Sequence, residues 1–500
     1  MHAHHFASAA DLRVNDTNSD TYKPPLVKRG PSLPDIRSVK RDPHQQPKTL
    51  KNAVMHLKSL PNSPPPETLD PPPPDHTDAI SDQLLLRIFS LLPRHQHVSA
   101  SLVCKRWMGL AGRLVRSVKL ADWDFLDSGR VVSRFPNLTD IDLVSACVKS
   151  PRNSGIVASH KLLSFHLDAS CLPEEIVECE YLLPASAVDE GLRIVASAYP
   201  GLRRLVVIGA SEKGLLSVAA ECSTLQELEL HYCTDMALKG ISGCKNLQIL
   251  KLIGSVDGLY ANVVSDIGFT ILAQGCGRLV KLELSGCEGS YAGVKAIAQC
   301  CPMLMELIFC DHRMDDGWLS ALQYFGNLRT LELKLCKKID SSPGPNEHLG
   351  ACLTLQELHL HQCQLRDKDN LAALFFICQA VTEIVLEDCW GLDDDLFRKA
   401  SLCRRVKLLY LEGCSLLTME SLDSVLLSWT ELERLKVISC NNIKDSDVTP
   451  GVAALFGVLR ELKWRPDSKS LLSASLDGTG MGKKGGKFFK RMIKVGSNKR

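Results

Sequence analysis

The stretch Leu225-Gln226-Glu227-Leu228-Glu229-Leu230-His231-Tyr232-Cys233 places leucines at relative positions 0, +3 and +5 and a cysteine at +8. In an extended strand, successive side chains alternate between two faces. Leu228 and Leu230 therefore turn to one side, and Glu227, Glu229 and His231 to the other. The same signature, with a cysteine, small or polar residue at +8, starts at Leu138, Leu162, Leu202, Leu225, Leu247, Leu279, Leu304, Leu328, Leu355, Val381, Val406, Leu432 and Leu459. Most of these 13 starts stand 22–27 residues apart, with 32 after Leu247 and 40 after Leu162. A period of that length marks a solenoid in which each unit contributes one short strand. Between strands, Leu371, Leu374, Phe375 and Cys378 recur at i, i+3, i+4 and i+7, the spacing of an amphipathic helix. One strand and one helical stretch per unit predict an α/β stack with parallel strands along its concave side.

The repeat also accounts for the cysteines. Of 20 in the chain, seven occupy +8 (Cys233, Cys287, Cys336, Cys363, Cys389, Cys414, Cys440). Seven more stand three residues before a unit (Cys222, Cys244, Cys276, Cys301, Cys352, Cys378, Cys403). A reduced thiol is a small apolar filler with a weak donor, suited to a tight turn. No Cys-x-x-Cys pair occurs, which argues against a zinc ribbon.

Composition narrows the function classes. The 45% hydrophobic content is that of a globular protein. No run of about 18 apolar residues suggests a membrane span, and the N-terminal MHAHHFASAADLRVND lacks a signal-peptide layout. A nuclear or cytoplasmic protein is expected, with all thiols reduced. Residues 1–79 carry 10 Lys/Arg against 9 Asp/Glu, and 8 of the 14 residues from Pro61 to Pro74 are proline, so a disordered leader is expected. Residues 467–500 carry 9 Lys/Arg against 2 Asp. The whole chain is +2, which leaves 80–466 at −6, the wrong sign for a nucleic-acid-binding core. The tail 468–500 reads as disordered and basic: a nuclear-import signal, a weak contact with anionic membrane, or a solvated end. Gly478-Thr479-Gly480-Met481-Gly482-Lys483-Lys484 lacks the spacing and the Ser/Thr of a phosphate loop. Neither a Gly-x-Ser-x-Gly elbow nor a His-Glu-x-x-His motif is present, so no catalytic residue and no cofactor are expected.

Ahead of the repeats, Leu84, Leu85, Ile88, Leu91 and Leu92 share one side of a helix that Pro93 ends, and a second short helix spans Val98–Trp107. Two such helices bury little by themselves and need a partner or a following domain. With LLLRIFSLLP (84–93), SLVCKRW (101–107) and LVRSVKL (114–120), residues 80–120 resemble an F-box. Residues 138–467 resemble the cysteine-containing subclass of leucine-rich repeats, and 121–137 read as a linker or cap. The domain order is similar to that of the F-box/leucine-rich-repeat proteins, a plant-like member in particular. The resemblance implies a small helical F-box followed by a right-handed horseshoe of about 13 repeats. It further implies that the F-box binds a Skp-type adaptor and, through it, cullin and RING subunits. The repeats would hold a protein substrate for ubiquitination, with no chemistry on this chain. By position Leu85, Ile88, Leu92, Val98, Val103 and Trp107 would contact the adaptor. Where the family begins this motif with Leu-Pro, Ile80-Ser81 stands here, and Ser81 is an acceptable N-cap. A scaffold without a ligase link, or a hormone-type co-receptor, remain alternatives.

Positions +2, +4 and +6 of each unit should face a partner, among them Glu229, Lys251, Glu283, Glu332, His166, His231, His359 and His361. The substrate surface is expected between Leu328 and Cys440, on His359, His361, Glu383, Glu387, Tyr410 and Glu412, with Trp390 nearby and the Lys337–Gly350 loop alongside. Glu357, Glu383, Glu387 and Glu412 would form an acidic patch suited to a basic segment. The Gly254–Ser265 loop is the other long one. His359 and His361 share a strand face and could bind a metal, but chance pairing on a polar face accounts for them as well, so no metal is expected. A hormone pocket would want clustered arginines, and Arg204, Arg434 and Arg465 are far apart in repeat order.

Overall fold

The computed structural model describes residues 76–93, 96–147, 182–254, 264–340, 342–343 and 349–467. The expectations for residues 1–75, the repeat at Leu162, His166, most of the Gly254–Ser265 loop, the middle of the Lys337–Gly350 loop, the phosphate-loop look-alike and the tail 468–500 lie outside these residues. His76–Ala79, at the end of the expected leader, form a 3-10 turn.

Thirteen strands form one parallel sheet in strict chain order. They are β1 (Ser117–Lys119), β2 (Asp140–Asp142), β3 (Arg204–Ile208), β4 (Glu227–His231), β5 (Ile249–Ile253), β6 (Lys281–Ser285) and β7 (Glu306–Cys310). The rest are β8 (Thr330–Lys334), β9 (Glu357–His361), β10 (Glu383–Glu387), β11 (Leu408–Glu412), β12 (Arg434–Ile438) and β13 (Glu461–Arg465). The second and fourth residues of each five-residue strand are apolar and buried, as in Leu358 and Leu360, and the other three form outward rows. One continuous apolar core runs beneath the sheet from Val118 to Trp464.

The strand count matches the expected repeat number, but the membership differs. β2 pairs directly with β3, Asp140 opposite Arg204, and on its other edge with β1. Both edges of β2 are thus taken by described strands. The added strand is β1, whose Val115, Val118, Leu120 and Trp123 stand at 0, +3, +5 and +8. The resemblance of 80–120 to a helical domain conceals that match. Residues 121–137, expected as a linker or cap, contain helices Trp123–Asp127 and Arg130–Arg134, whose Trp123, Leu126 and Val131 join the solenoid core.

Nine of the thirteen strands end in a shared turn. Gly209, Tyr232, Gly286, Asp311, Leu335, Gln362, Asp388, Gly413 and Ser439, each the first residue after its strand, have positive φ between 41° and 68°. L-residues adopt this conformation at a cost of about 1 kcal/mol or more. What compensates is one further rung of the ladder: the Leu335 N–H donates to His361 O (2.9 Å), Gln362 to Glu387 O (2.8 Å) and Asp388 to Glu412 O (2.8 Å). The turn swings the +8 residue inward. There the Cys363 thiol donates to Leu333 O (3.3 Å) in the preceding repeat, and Cys389 to Leu360 O (3.3 Å). The −3 thiols behave alike on the convex side, Cys222 donating to Tyr199 O (3.5 Å) and Cys403 to Cys378 O (3.5 Å). All 14 repeat cysteines are buried, and the 18 described cysteines carry no disulfide. Burial pushes thiols such as Cys233 and Cys389 up to about 12, so they stay protonated and unreactive.

On the convex side an aspartate in one repeat holds the helix N-cap of the next. Asp189 accepts from the Ser211 N–H (3.0 Å) and hydroxyl (2.5 Å). Asp235 does the same for Ser265 (2.8 and 2.6 Å), and Asp266 for Ser290 (2.8 and 2.6 Å). Asp394 accepts from Thr418 twice (2.8 and 2.5 Å) and from the Ser421 hydroxyl (2.5 Å). Each clamp fixes the spacing of neighbouring repeats, because the N-cap in turn binds its own helix. Asp394→Ala removes three such bonds and should lower the unfolding free energy by about 2 kcal/mol. Urea unfolding checks this, and a loss near zero would mean that water replaces the carboxylate without penalty.

Candidate functional site

The front domain is a helical hairpin with its own small core. Helix α1 (Asp82–Leu91) is capped by Ser81, whose hydroxyl accepts from the Leu84 N–H at 3.4 Å. Helices α2 (Gln96–Ser101) and α3 (Lys105–Gly112) follow. Leu85 and Phe89 point inward onto Ala100 and Leu110, with Leu92 and Trp107 packed alongside. Phe89 and Trp107 meet edge to face, their centroids 4.8 Å apart. Arg106 ties α3 to the start of the hairpin through Thr77 O (3.0 Å), Ile80 O (2.6 Å) and Asp82 (2.9 Å).

A second apolar stripe on α1, Leu84, Ile88 and Leu91, faces away from that core and lies exposed, Ile88 at 47%. Val98, Leu102 and Val103 on the second arm are exposed too. Six large apolar side chains on one hairpin exceed the scattered surface hydrophobics of a monomer and mark a contact surface. The residues expected to contact an adaptor divide between the two sides of the hairpin. Leu85 is only 2% exposed because it fills the hairpin core, and Leu92 and Trp107 pack against that core. Ile88, Val98 and Val103 do lie on the exposed face, together with Leu84, Leu91 and Leu102, which the sequence reading left out. The missed signal is the width of the apolar arc: 84/88/91 and 85/89/92 are two stripes, and one core can take only one of them.

Residues 82–120 match the F-box-like family profile. The chain thus joins an F-box-like helical domain to a leucine-rich-repeat solenoid, a pairing built for protein interaction, and F-box domains generally bind Skp-type adaptors. Among solved structures it is similar to an internalin from Listeria monocytogenes, with 14% identity, 57% of this chain and 80% of that chain covered, and a TM-score of 0.34. It is also similar to a leucine-rich-repeat protein from Leptospira interrogans, with 14% identity, coverage of 69% and 70%, and a TM-score of 0.36. No helix among the described residues is long and apolar enough to cross a membrane.

The F-box is fused to the solenoid without slack. A Cβ on Gly112 would collide with the Arg134 carbonyl oxygen, so only glycine lets α3 lie against helix Arg130–Arg134. Asn137 donates to Arg113 O (2.9 Å), and Arg116 donates to Asn137 O (2.8 Å). Strand β1 begins five residues after α3 ends.

On the concave side the outward rows divide into two regions. Across β3–β5 they are largely buried: Val206 and Ile208 and, with them, Glu229, His231 and Lys251, for which an outward-facing position was expected. Their charges satisfy one another. Arg204 donates to Glu227 (2.8 Å), the His231 ring lies 2.9 Å from Glu229, and Lys251 reaches Glu283 (3.2 Å). The alternation of sign across adjacent strands is visible only once the register is known.

From β8 to β12 the rows are half-exposed, and here lie His359, His361, Glu383, Glu387, Tyr410 and Glu412. The register sets His361 beside Glu387 and His359 beside Val385. The expected free acidic patch is instead largely compensated. Glu383 pairs with Arg434 two strands away (2.5 Å), Glu387 with His361 (2.8 Å), and Glu412 accepts from the Tyr410 hydroxyl. Glu357 accepts from Thr330 (3.1 Å). Trp390 is exposed beyond the end of β10, joined to Gln364 by an isolated bridge. Arg204 and Arg434 are each engaged with a carboxylate, Glu227 and Glu383 respectively. A separate groove of about 470 Å³ opens where the chain enters β8–β11, with Arg329, Arg405 and Lys407 in its lining.

His361 sits between Glu332 (3.1 Å) and Glu387 (2.8 Å). The hydrogen bond to Glu332 pushes its pKa up against partial burial, and Glu387 adds to the rise. Burial would raise Glu332, but the bonds from His361 and Lys334 hold it down at about 2. The imidazolium is thus favoured in the folded state. Its contribution is fully present below the unfolded value of about 6.5 and is lost as pH rises through the higher folded value. Unfolding free energy should fall as pH rises above about 6.5, and His361→Gln should flatten that fall. Identical pH profiles for wild type and variant would contradict the assignment.

Proposed function

We propose that this chain is the substrate-selecting subunit of a Skp–cullin–F-box ubiquitin ligase, acting in the nucleus or cytoplasm. The observation that carries this reading is the exposed apolar face of Leu84, Ile88, Leu91, Val98, Leu102 and Val103, within a domain that matches the F-box-like profile. A helical hairpin with a wide apolar surface suits the groove of a Skp-type adaptor. The adaptor would link the chain to cullin and RING subunits, and ubiquitin transfer would take place on those partners. The protein substrate would dock on the half-exposed concave rows of β8–β12, where His359, Glu383, Glu387, Tyr410 and Glu412 offer mixed polar and aromatic contacts on rigid strands. Because Gly112 and Asn137 fix the F-box to the first repeat, the concave face would be held at one orientation to the ligase core.

Ile88→Asp with Leu91→Asp places two carboxylates on the exposed face without touching Leu85 or Phe89. Burying them against an apolar partner costs several kcal/mol, so co-purification of a Skp-type adaptor should vanish while the melting temperature stays at the wild-type value. Undiminished adaptor binding by the folded variant would refute the ligase role and leave the reading of a scaffold without a ligase link.

A further inference from the structure

The outward rows of β8 and β9 bring Glu332, His359 and His361 together, with one ligand atom of each within 4.8 Å of the other two. The histidines are two residues apart on β9, so strand alternation puts both on the concave face. The register sets Glu332 directly opposite His359. Two further observations concern the ring nitrogens. His361 Nδ1 lies 2.8 Å from Glu387 Oε2, which leaves Nε2 facing Glu332 at 3.1 Å. A carboxylate on the far ring nitrogen is the arrangement that orients metal-binding imidazoles. His359 Nε2 is closed off from solvent and has no hydrogen-bond partner, and Glu357 stands 3.6 Å away, beyond hydrogen-bond reach. All three side chains project from strands locked in the sheet, which is where a preorganised site belongs.

We propose that Glu332, His359 and His361 form a binding site for a divalent transition-metal ion of the zinc class, with Glu387 as the positioning residue behind His361. Two imidazoles and a carboxylate suit zinc and its neighbours better than calcium or magnesium. Bonds of about 2.0–2.1 Å to a tetrahedral ion hold ligand atoms roughly 3.4 Å apart. The three ligand atoms already lie within 4.8 Å of one another and must close to that spacing. Three protein ligands leave a fourth position for water or for a side chain of a protein docked on the same face. Lys334 Nζ, 3.1 Å from the same Glu332 oxygen, holds the positive charge that the ion would supply, and it must swing away on binding. The site stands independently of the ligase reading, and its test requires neither adaptor nor substrate.

Zinc sulfate is titrated into the full chain, freed of metal, and binding is read by equilibrium dialysis and by melting temperature. The other histidines and the cysteines are common to all forms and cancel in the comparison. Wild type should bind one zinc ion more than His359→Gln or His361→Gln, and either variant should weaken that site by about tenfold or more. Only wild type should gain melting temperature with zinc, since an ion bound to the folded state alone stabilises it. Lys334→Met removes the competing cation and should tighten the site. Equal zinc stoichiometry and equal melting shifts in wild type and both histidine variants overturn the proposal. If the histidine variants do not fold, Lys334→Met decides, and an unchanged affinity overturns it.

Discussion

The extra rung that nine of the thirteen strands gain from the left-handed residue after them is the constraint on which the rest depends. Leu335 N–H to His361 O and Gln362 N–H to Glu387 O extend the ladder past the strands themselves. That rung sets the register, and a slip of one residue would turn every leucine outward. It also drives the chain inward, where in several repeats a thiol fills the turn and bonds the preceding repeat's carbonyl, as Cys363 does with Leu333. The aspartate clamps on the convex side, Asp266 on Ser290 for example, hold the other edge at the same repeat spacing. With both edges held, the outward rows become a fixed array in which each side chain's neighbours come from other repeats.

Much of this is legible in the chain. The leucine spacing around Leu225 identifies strand, inward face and repeat length, because burial of alternate side chains is a local rule. What is not local is harder to read. Which strands lie beside β2 is settled by its pairing with β1 and β3 and not by any local pattern. β1 itself escapes notice because Val118 and Leu120 sit inside a stretch that also fits the end of a helical domain. Leu85 shows the same limit: periodicity gives the apolar arc of α1 but not which of its two stripes meets the hairpin core. Pairings such as Glu383 with Arg434 join residues far apart in sequence, so carboxylates that look free along the chain are neutralised across the sheet. Glu332 joins His359 and His361 for the same reason, by register rather than by spacing.

The two interaction surfaces differ in kind. The F-box face is apolar, gathered on one hairpin and unmatched by anything packed on it among the described residues. The concave rows of β8–β12 are polar and internally compensated, so a partner there would have to exchange existing pairs for its own, which favours specificity over bulk affinity. Between them, the collision-tight packing at Gly112 and the bonds of Asn137 and Arg116 transmit orientation from one surface to the other. A rigid joint would suit the proposed role of holding one protein at a set place relative to another.

The most direct measurement of that division of labour is amide hydrogen exchange on the full chain with and without a Skp-type adaptor. If the hairpin's exposed apolar face is the adaptor surface, added protection concentrates in Asp82–Leu91 and Gln96–Ser101, while the strands β8–β12 exchange as in the free chain. Protection concentrated on β8–β12 instead, with α1 and α2 unchanged, would contradict the account.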